Sequence, residues 1–393
     1  MKIGIDASRA FLKNRTGIEE YSYQVIKKLG DKLKGHQVFL YVRKDQVVDF
    51  SLPKNWSASW RIKVIKWPRF WTQIGLSLEL LFHPVDTLFI PAHTIPFVHP
   101  KNSIVTIHGL EYEFCPQAYS WWEKFYMRVS IKNSCRWAKT IIAVSENTKK
   151  DLMKLYGVAE DKIKVIYEGY DADAKSEIRN PKSEINSKFQ IPKLKPYLLF
   201  IGRLEGRKNI CGIISAFEVL KEKYKIPHKL VLAGKPGFGY EKINCDLQNA
   251  NYKEDIILTG FVSKEEKREL LKNADVFIFT TFYEGFGIPI LEAQSAGVPV
   301  VASNNSSIPE IISSEGSTFG IPKVEPSEAP LKENRSAILV DPNNVEEIFW
   351  AAYNLISDKA LRDDIIKKGL ENVKRFSWDK CASEIARMLI DAN

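Results

Sequence analysis

The chain has 393 residues, 45% hydrophobic and 27% charged, which excludes a largely disordered polymer and leaves room for more than one buried core. Its formal charge of +9 suits a nucleic acid, an anionic membrane surface or a phosphorylated substrate equally, so charge alone selects no partner. Cys115, Cys135, Cys211, Cys245 and Cys381 are scattered, with no zinc-ligand spacing, and read as reduced thiols.

From Met1 the sequence enters a strand-like run without the apolar core and cleavage site of a secretory leader, and no apolar run is long enough to span a bilayer. The expected location is therefore the cytoplasm, with peripheral contact at the inner membrane face left open. Apolar, β-branched runs at Lys2–Asp6, Gln37–Val42, Thr87–Ile90, Ser103–His108, Thr140–Val144 and Lys164–Ile166 alternate with segments of helical period. That alternation is the pattern of parallel strands joined by crossover helices. Within this half, Lys54 to Trp71 interleaves aromatic and basic residues without one acidic residue. Such a run suits a lipid headgroup boundary or stacked bases, but Trp is more often core, and strands of this kind carry Lys and Arg on a solvated face.

Asp171 to Pro196 is rich in charge, Ser, Asn and Pro and reads as a connection. A second series of strands follows at Tyr197–Ile201, Lys229–Ala233, Ile256–Thr259, Val276–Phe279, Val298–Ala302 and Ser336–Val340. The fold class is α/β, with two doubly wound domains. Such sheets bind ligands at the carboxyl ends of their strands, so the expected site is the crevice between the domains.

The strongest motif is Phe282-Tyr283-Glu284-Gly285-Phe286-Gly287-Ile288-Pro289-Ile290-Leu291-Glu292-Ala293, directly after an expected strand. Gly285 and Gly287 let backbone approach a ligand, Pro289 suits the start of a helix, and the amides of that start attract an anion. Glu284 and Glu292 are acceptors for sugar and ribose hydroxyls. A lone Glu is ordinarily a solvated helix residue, but the whole string is not easily read as a plain turn. A second string, Gly202-Arg203-Leu204-Glu205-Gly206-Arg207-Lys208-Asn209, leaves the first strand of the second half. Arg203 and Lys208 can converge on a diphosphate, each charge-assisted contact contributing about 1.5–3 kcal/mol.

Together the two strings resemble the retaining glycosyltransferases of family four, which carry a Glu-x7-Glu pattern in a Gly-Phe-Gly-x-Pro loop and a Gly-Arg…Lys-Asn phosphate turn. The resemblance spans nearly the whole chain. It implies the GT-B architecture: two Rossmann-like domains facing a central cleft, at 1–190 (acceptor side) and 191–376 (nucleotide-sugar side), with a final helix, 377–393, crossing back to the first. It further implies that Arg203 and Lys208 hold the donor diphosphate, Glu284 the donor-sugar hydroxyls and Glu292 the ribose. Amides near Phe286, Gly287 and Ile288 would lie against the sugar and phosphate. Asn14-Arg15-Thr16-Gly17 matches the family's glycine loop near the donor phosphates, and His108 matches its active-site histidine. Catalysis would thus rest on His108, Glu284, Arg203 and Lys208.

Two departures stand out. Relatives often carry Asp after the histidine where this chain has Gly109, so the partner of His108 is open between Glu111 and Glu113. The segment 315–335 is an insertion, read as a surface loop. The resemblance implies no metal and no cofactor: a nucleotide sugar is the substrate, GDP-mannose favoured over UDP-hexose, and a glycan or lipid-linked molecule is the acceptor. No nucleic-acid partner is expected, because a nucleic-acid-binding module leaves the Glu-bearing loop unexplained. A dinucleotide oxidoreductase lacks its Gly-x-Gly-x-x-Gly turn here. A sugar-nucleotide epimerase or a phosphorylase of the same architecture is the nearer alternative.

Overall fold

The computed structural model describes residues 1–12, 15–44, 59–170, 196–313 and 335–391. Asn14, the start of the aromatic-basic run (54–58), the connection at 171–195 and insertion residues 315–334 lie outside the described residues. The chain forms two compact units, one of Met1–Leu110, Ser120–Gly169 and Phe376–Asn393, the other of Glu111–Tyr119 and Tyr170–Arg375.

The first unit is built on a seven-stranded sheet. Its strands are β1 (Lys2–Asp6), β2 (Gln37–Arg43), β3 (Trp60–Ile65), β4 (Thr87–Ile90), β5 (Asn102–Ile107), β6 (Thr140–Ala143) and β7 (Ile163–Val165), in the order β3-β2-β1-β4-β5-β6-β7. Every pairing is parallel. Central parallel strands are covered on both faces, which is why β4 is buried throughout and reads as an unbroken apolar run. Edge strand β3 is different: it pairs only with β2, from Val38↔Trp60 to Arg43↔Ile65, and buries Trp60 while exposing Arg61. It falls inside the aromatic-basic run. Trp60 and Trp71 are core residues, whereas Trp67 and Phe70 are exposed.

The C-terminal helix Trp378–Asp391 belongs to this first unit. It buries Cys381, Ile385 and Leu389, one stripe at helical spacing, and its Trp378 ring stands 5.9 Å from that of Tyr21. At Gly169 a Cβ would come within 2.1 Å of the Trp378 amide nitrogen, so only glycine allows the two backbones this approach.

The second unit carries a six-stranded sheet of β8 (Tyr197–Ile201), β9 (Lys229–Ala233), β10 (Ile256–Gly260), β11 (Val276–Phe279), β12 (Val300–Ser303) and β13 (Ile338–Val340). Its order is β10-β9-β8-β11-β12-β13, again all parallel. Phe200 of β8 and Phe279 of β11 stack across the sheet at 6.1 Å in a continuous core, each such ring contributing about 1.5–3 kcal/mol by burial.

In both sheets the strand order reverses beside the first strand, between β1 and β4 in one and between β8 and β11 in the other. Connections from the two strands at such a switch point leave toward opposite faces and open a crevice at their carboxyl ends. Those two places are where the chemistry is to be sought.

Candidate active site

At the switch point of the second unit, the exit of β8 and the exit of β11 are fastened to each other. Phe282 N donates to Arg207 O at 2.9 Å, and a cluster of charge lies beneath. Glu284 Oε1 accepts from Lys208 Nζ in a short contact and from Arg207 Nη1 at 3.3 Å, while Arg207 Nε stands 2.7 Å from Glu205 Oε1. Lys208, Glu205 and Asn209 are buried. Burial opposes the charge of Arg207, yet Glu284, Glu205 and Glu111 outweigh it and raise its pKa. Burial, together with Arg207, lowers the pKa of Lys208 against the opposite pull of Glu284. The result is a buried cationic pair balanced by carboxylates.

Local geometry explains why these residues meet. Asn209 takes the left-handed conformation (φ 54°), caps the helix Ile210–Tyr224 and donates from Nδ2 to Pro342 O at 2.6 Å, which aims Lys208 inward. A Cβ at Gly234 would stand 1.8 Å from Gly202 O, so glycine is required where the exits of β8 and β9 pass. The Glu-bearing loop is held from below: Ser307 Oγ lies 2.9 Å from both Glu284 O and Phe286 O, which share its one proton, and Ser306 Oγ accepts from Glu284 N at 3.1 Å. Gly287 (φ 113°) then turns the chain into the helix Ile288–Ser295, where Pro289 has no N–H and Ile290 N donates to Gly287 O at 3.0 Å, so the Ile288 amide is the first-turn donor without an acceptor in the helix. An anion seated there meets amide dipoles and fixed cations together.

A segment from the first half of the sequence joins this unit. Phe114 stacks on Tyr283 with centroids 4.7 Å apart and planes 10° off parallel, and Cys115, Ala118 and Tyr283 form a small buried cluster.

In the first unit, His108 lies just beyond β5, buried. Its Nδ1 is 2.9 Å from Glu168 Oε1 and its Nε2 2.8 Å from Pro91 O. Both ring nitrogens are thus engaged by protein groups, and since a carbonyl oxygen can only accept, Nε2 donates to Pro91 O. Tyr21 packs edge-on against it at 4.6 Å and bonds Thr106 Oγ1 at 3.1 Å. At the switch point beside it stands His93, left-handed at φ 55°, its ring 5.3 Å from that of His108. Both His93 ring nitrogens are shielded from solvent and, among the described residues, have no hydrogen-bond partner. Its pKa is depressed by burial, with His108 and Arg9 adding to the effect.

This geometry has counterparts among known proteins. The profile of "Glycosyl transferases group 1" matches residues 181–372, and that of "Glycosyltransferase Family 4" matches residues 15–174. The chain is a GT-B glycosyltransferase of family four. The enzyme is 28% identical to O-antigen chain mannosyltransferase B of Escherichia coli over 72% of this chain and 69% of that one. Its fold is similar to sucrose-phosphate synthase of Thermosynechococcus elongatus, with a TM-score of 0.70 and 19% identity over 100% of both chains. It is also similar to Anabaena HepE in complex with UDP and glucose, with a TM-score of 0.69 and 17% identity over 100% of both chains.

The glycosyltransferase places its sequence-expected residues unevenly. Lys208 and Glu284 come together directly. Arg203 does not join them: it is exposed, lies along Gly237 and, among the described residues, makes no hydrogen bond or ion pair. Glu292 does not share the Glu284 cluster either, because Lys267 closes on its carboxylate instead. Phe286 is buried, and Gly287 and Ile288 form the helix start. Gly17 opens the helix Gly17–Leu29 of the first unit, behind a capping box of Thr16 and Glu19. The expectation for His108 is corrected: Glu168, not Glu111 or Glu113, is its carboxylate. Glu111 and Glu113 fall in a short helix, Glu111–Phe114, that groups with the other unit. Arg207, Glu205, Glu168 and His93 were not singled out from sequence. Arg207 and Glu205 stand inside the quoted Gly202–Asn209 string, and Glu168 stands just past an expected strand end before Gly169.

Proposed function

We propose that this glycosyltransferase moves a hexose from a nucleotide-diphosphate sugar to a glycan or lipid-linked acceptor with retention of anomeric configuration. The observation that carries the reading is the meeting of Lys208, Arg207 and Glu284 at the switch point of the second unit. Lysine has three donors and a carboxylate about four lone-pair sites, so the pair can stay joined while Lys208 holds a phosphate oxygen and Glu284 a sugar hydroxyl. Arg203, exposed beside it, is assigned to the same diphosphate. Glu292 is assigned to the ribose, which exchanges its hydroxyls for the contact with Lys267. The amides at Phe286, Gly287 and Ile288 are assigned to the sugar and phosphate, and Gly17 to the phosphates from the first unit.

In the reaction so proposed, the bond from the anomeric carbon to the phosphate oxygen breaks as the acceptor oxygen bonds to the same face. The departing phosphate takes the acceptor's proton. His108, whose ring nitrogens are held by Glu168 and Pro91, is assigned to shaping the wall against the transferred sugar and not to acting as its base. Lys208, Arg207 and Arg203 stabilise the diphosphate as it leaves.

Mannose as the sugar is supported by the Escherichia coli mannosyltransferase relative, and GDP is the carrier assigned to it in this reading. UDP-glucose is the second reading, favoured by HepE with its UDP and glucose. A panel of nucleotide sugars, assayed for release of nucleoside diphosphate with and without acceptor glycans, tests the proposal. GDP-mannose should give the fastest release, and turnover of a UDP-hexose alone would replace it. Interconversion of free nucleotide sugars without transfer would overturn the reading in favour of an epimerase.

A further inference from the structure

The helix Trp121–Trp137 of the first unit wears its apolar face outward. A surface helix ordinarily buries its large apolar side chains and shows polar ones to water. Here the buried positions are Ser130, Ile131, Ser134 and Cys135, and the inner side is fixed by Ser134 Oγ, which accepts from Ile95 N at 2.9 Å. Facing solvent instead are Trp121 (64% exposed), Trp122 (69%), Phe125 (53%), Tyr126 and Val129. At 100° per residue these five fall within one arc of about 140°. They form a mutually packed layer: the Trp121 and Trp122 rings stand 4.3 Å apart, and Trp121 stacks on Phe125 at 6.1 Å.

The same arc turns basic in the next turns. Lys132 and Arg136, both exposed, continue the row of Trp121, Phe125 and Val129 at helical spacing. Exposed apolar residues recur on a neighbouring element. Ile95 and Val98 are also tied to the stretch 71–82, through Gln73 Nε2 to Ile95 O at 3.3 Å and Val98 N to Ser77 Oγ at 3.1 Å, and that stretch exposes Leu81 and Phe82. Among the described residues no helix is long and apolar enough to cross a membrane.

We infer that the outward face of the helix Trp121–Trp137 is a docking surface for an anionic lipid bilayer, with Trp121, Trp122, Phe125 and Tyr126 entering the headgroup boundary and Lys132 and Arg136 meeting lipid phosphates. Trp and Tyr are the side chains whose apolar body and polar edge suit that boundary, and each basic residue near an anionic surface strengthens attachment about fivefold. The charge selects a bilayer over a second copy of this chain: the helix carries Lys124, Arg128, Lys132 and Arg136 against one carboxylate, Glu123, so pairing the patch with itself would bring two cationic surfaces together. The surface is independent of the donor chemistry proposed above, so its test needs no nucleotide.

Co-sedimentation of the full chain with phosphatidylcholine vesicles containing phosphatidylglycerol should show binding that weakens with salt and is absent on phosphatidylcholine alone. The variant W121S/W122S/F125S should lose at least about tenfold in bound fraction, and K132Q/R136Q should lose about twenty-fivefold in affinity at low salt. If the triple variant does not fold, Trp122→Glu alone should show the loss with an unchanged melting temperature. Wild-type binding by these variants, or no binding by the wild-type chain, would overturn the inference. So would self-association, seen by sedimentation velocity and removed by the same triple variant, in a chain that ignores vesicles.

Discussion

Lys208 and Arg207 share one carboxylate, and this arrangement decides how each substitution behaves. Lys208→Ala leaves Glu284 covered by Arg207, so the fold should survive while turnover falls at least about tenfold, because the leaving diphosphate loses a fixed cation. Arg203→Ala should lower turnover similarly and leave the melting temperature unchanged, since Arg203 has no partner among the described residues. Wild-type rates in both variants would remove the phosphate site from this loop. Glu284→Ala is of another kind, for it takes the carboxylate from buried Lys208 while Arg207 beside it keeps Glu205, and it should cost about 3 kcal/mol in urea unfolding. His93 gives a pH signature. Its folded-state pKa is depressed below the ordinary 6.5, so below that pH the unfolded chain binds a proton that the folded chain refuses, and stability falls as pH falls. The slope is at most ~1.4 kcal/mol per pH unit. Asparagine tolerates the left-handed backbone, so His93→Asn should flatten the decline in melting temperature between about pH 7 and pH 5. An unchanged slope would assign that decline to other groups.

At the scale of elements, the proposal assigns the phosphates to the helix starts. A Cβ at Gly17 would meet nothing within 4 Å, so the protein itself does not require glycine there. Gly17→Ala should therefore fold normally and still weaken donor binding in calorimetry if a phosphate comes close to that backbone; undiminished affinity would make Gly17 only the first residue of its helix. The strands were legible because most are covered on both faces and so read as apolar runs. Edge strand β3 was not, because Arg61 and Lys63 interrupt its apolar residues and, of the six, Trp60 alone is buried while Val64 is exposed. The Glu284 loop was legible through its glycine and proline punctuation. Its contact with Arg207 joins residues 77 apart, and that of His108 with Glu168 residues 60 apart, so neither is written in local spacing. Arg203, the arginine nearer the strand, carried the motif, but the turn at Asn209 brings Arg207 and Lys208 to the carboxylate.

For the whole molecule, the proposed reaction has the cations of the second unit supply the charge that a divalent ion supplies in other glycosyltransferases. Turnover should accordingly survive EDTA, and activity lost to chelation and restored by Mg²⁺ or Mn²⁺ would refute that division of labour. The proposal as a whole makes one stereochemical claim. Front-face departure of the diphosphate, with His108 occupied by Glu168 and Pro91 and no side chain assigned as a nucleophile, keeps the sugar's configuration. NMR of the anomeric proton in the product formed from an α-linked nucleotide sugar measures this directly. The account predicts an α-linked product; a β-linked product would contradict it and require a base in the first unit other than His108.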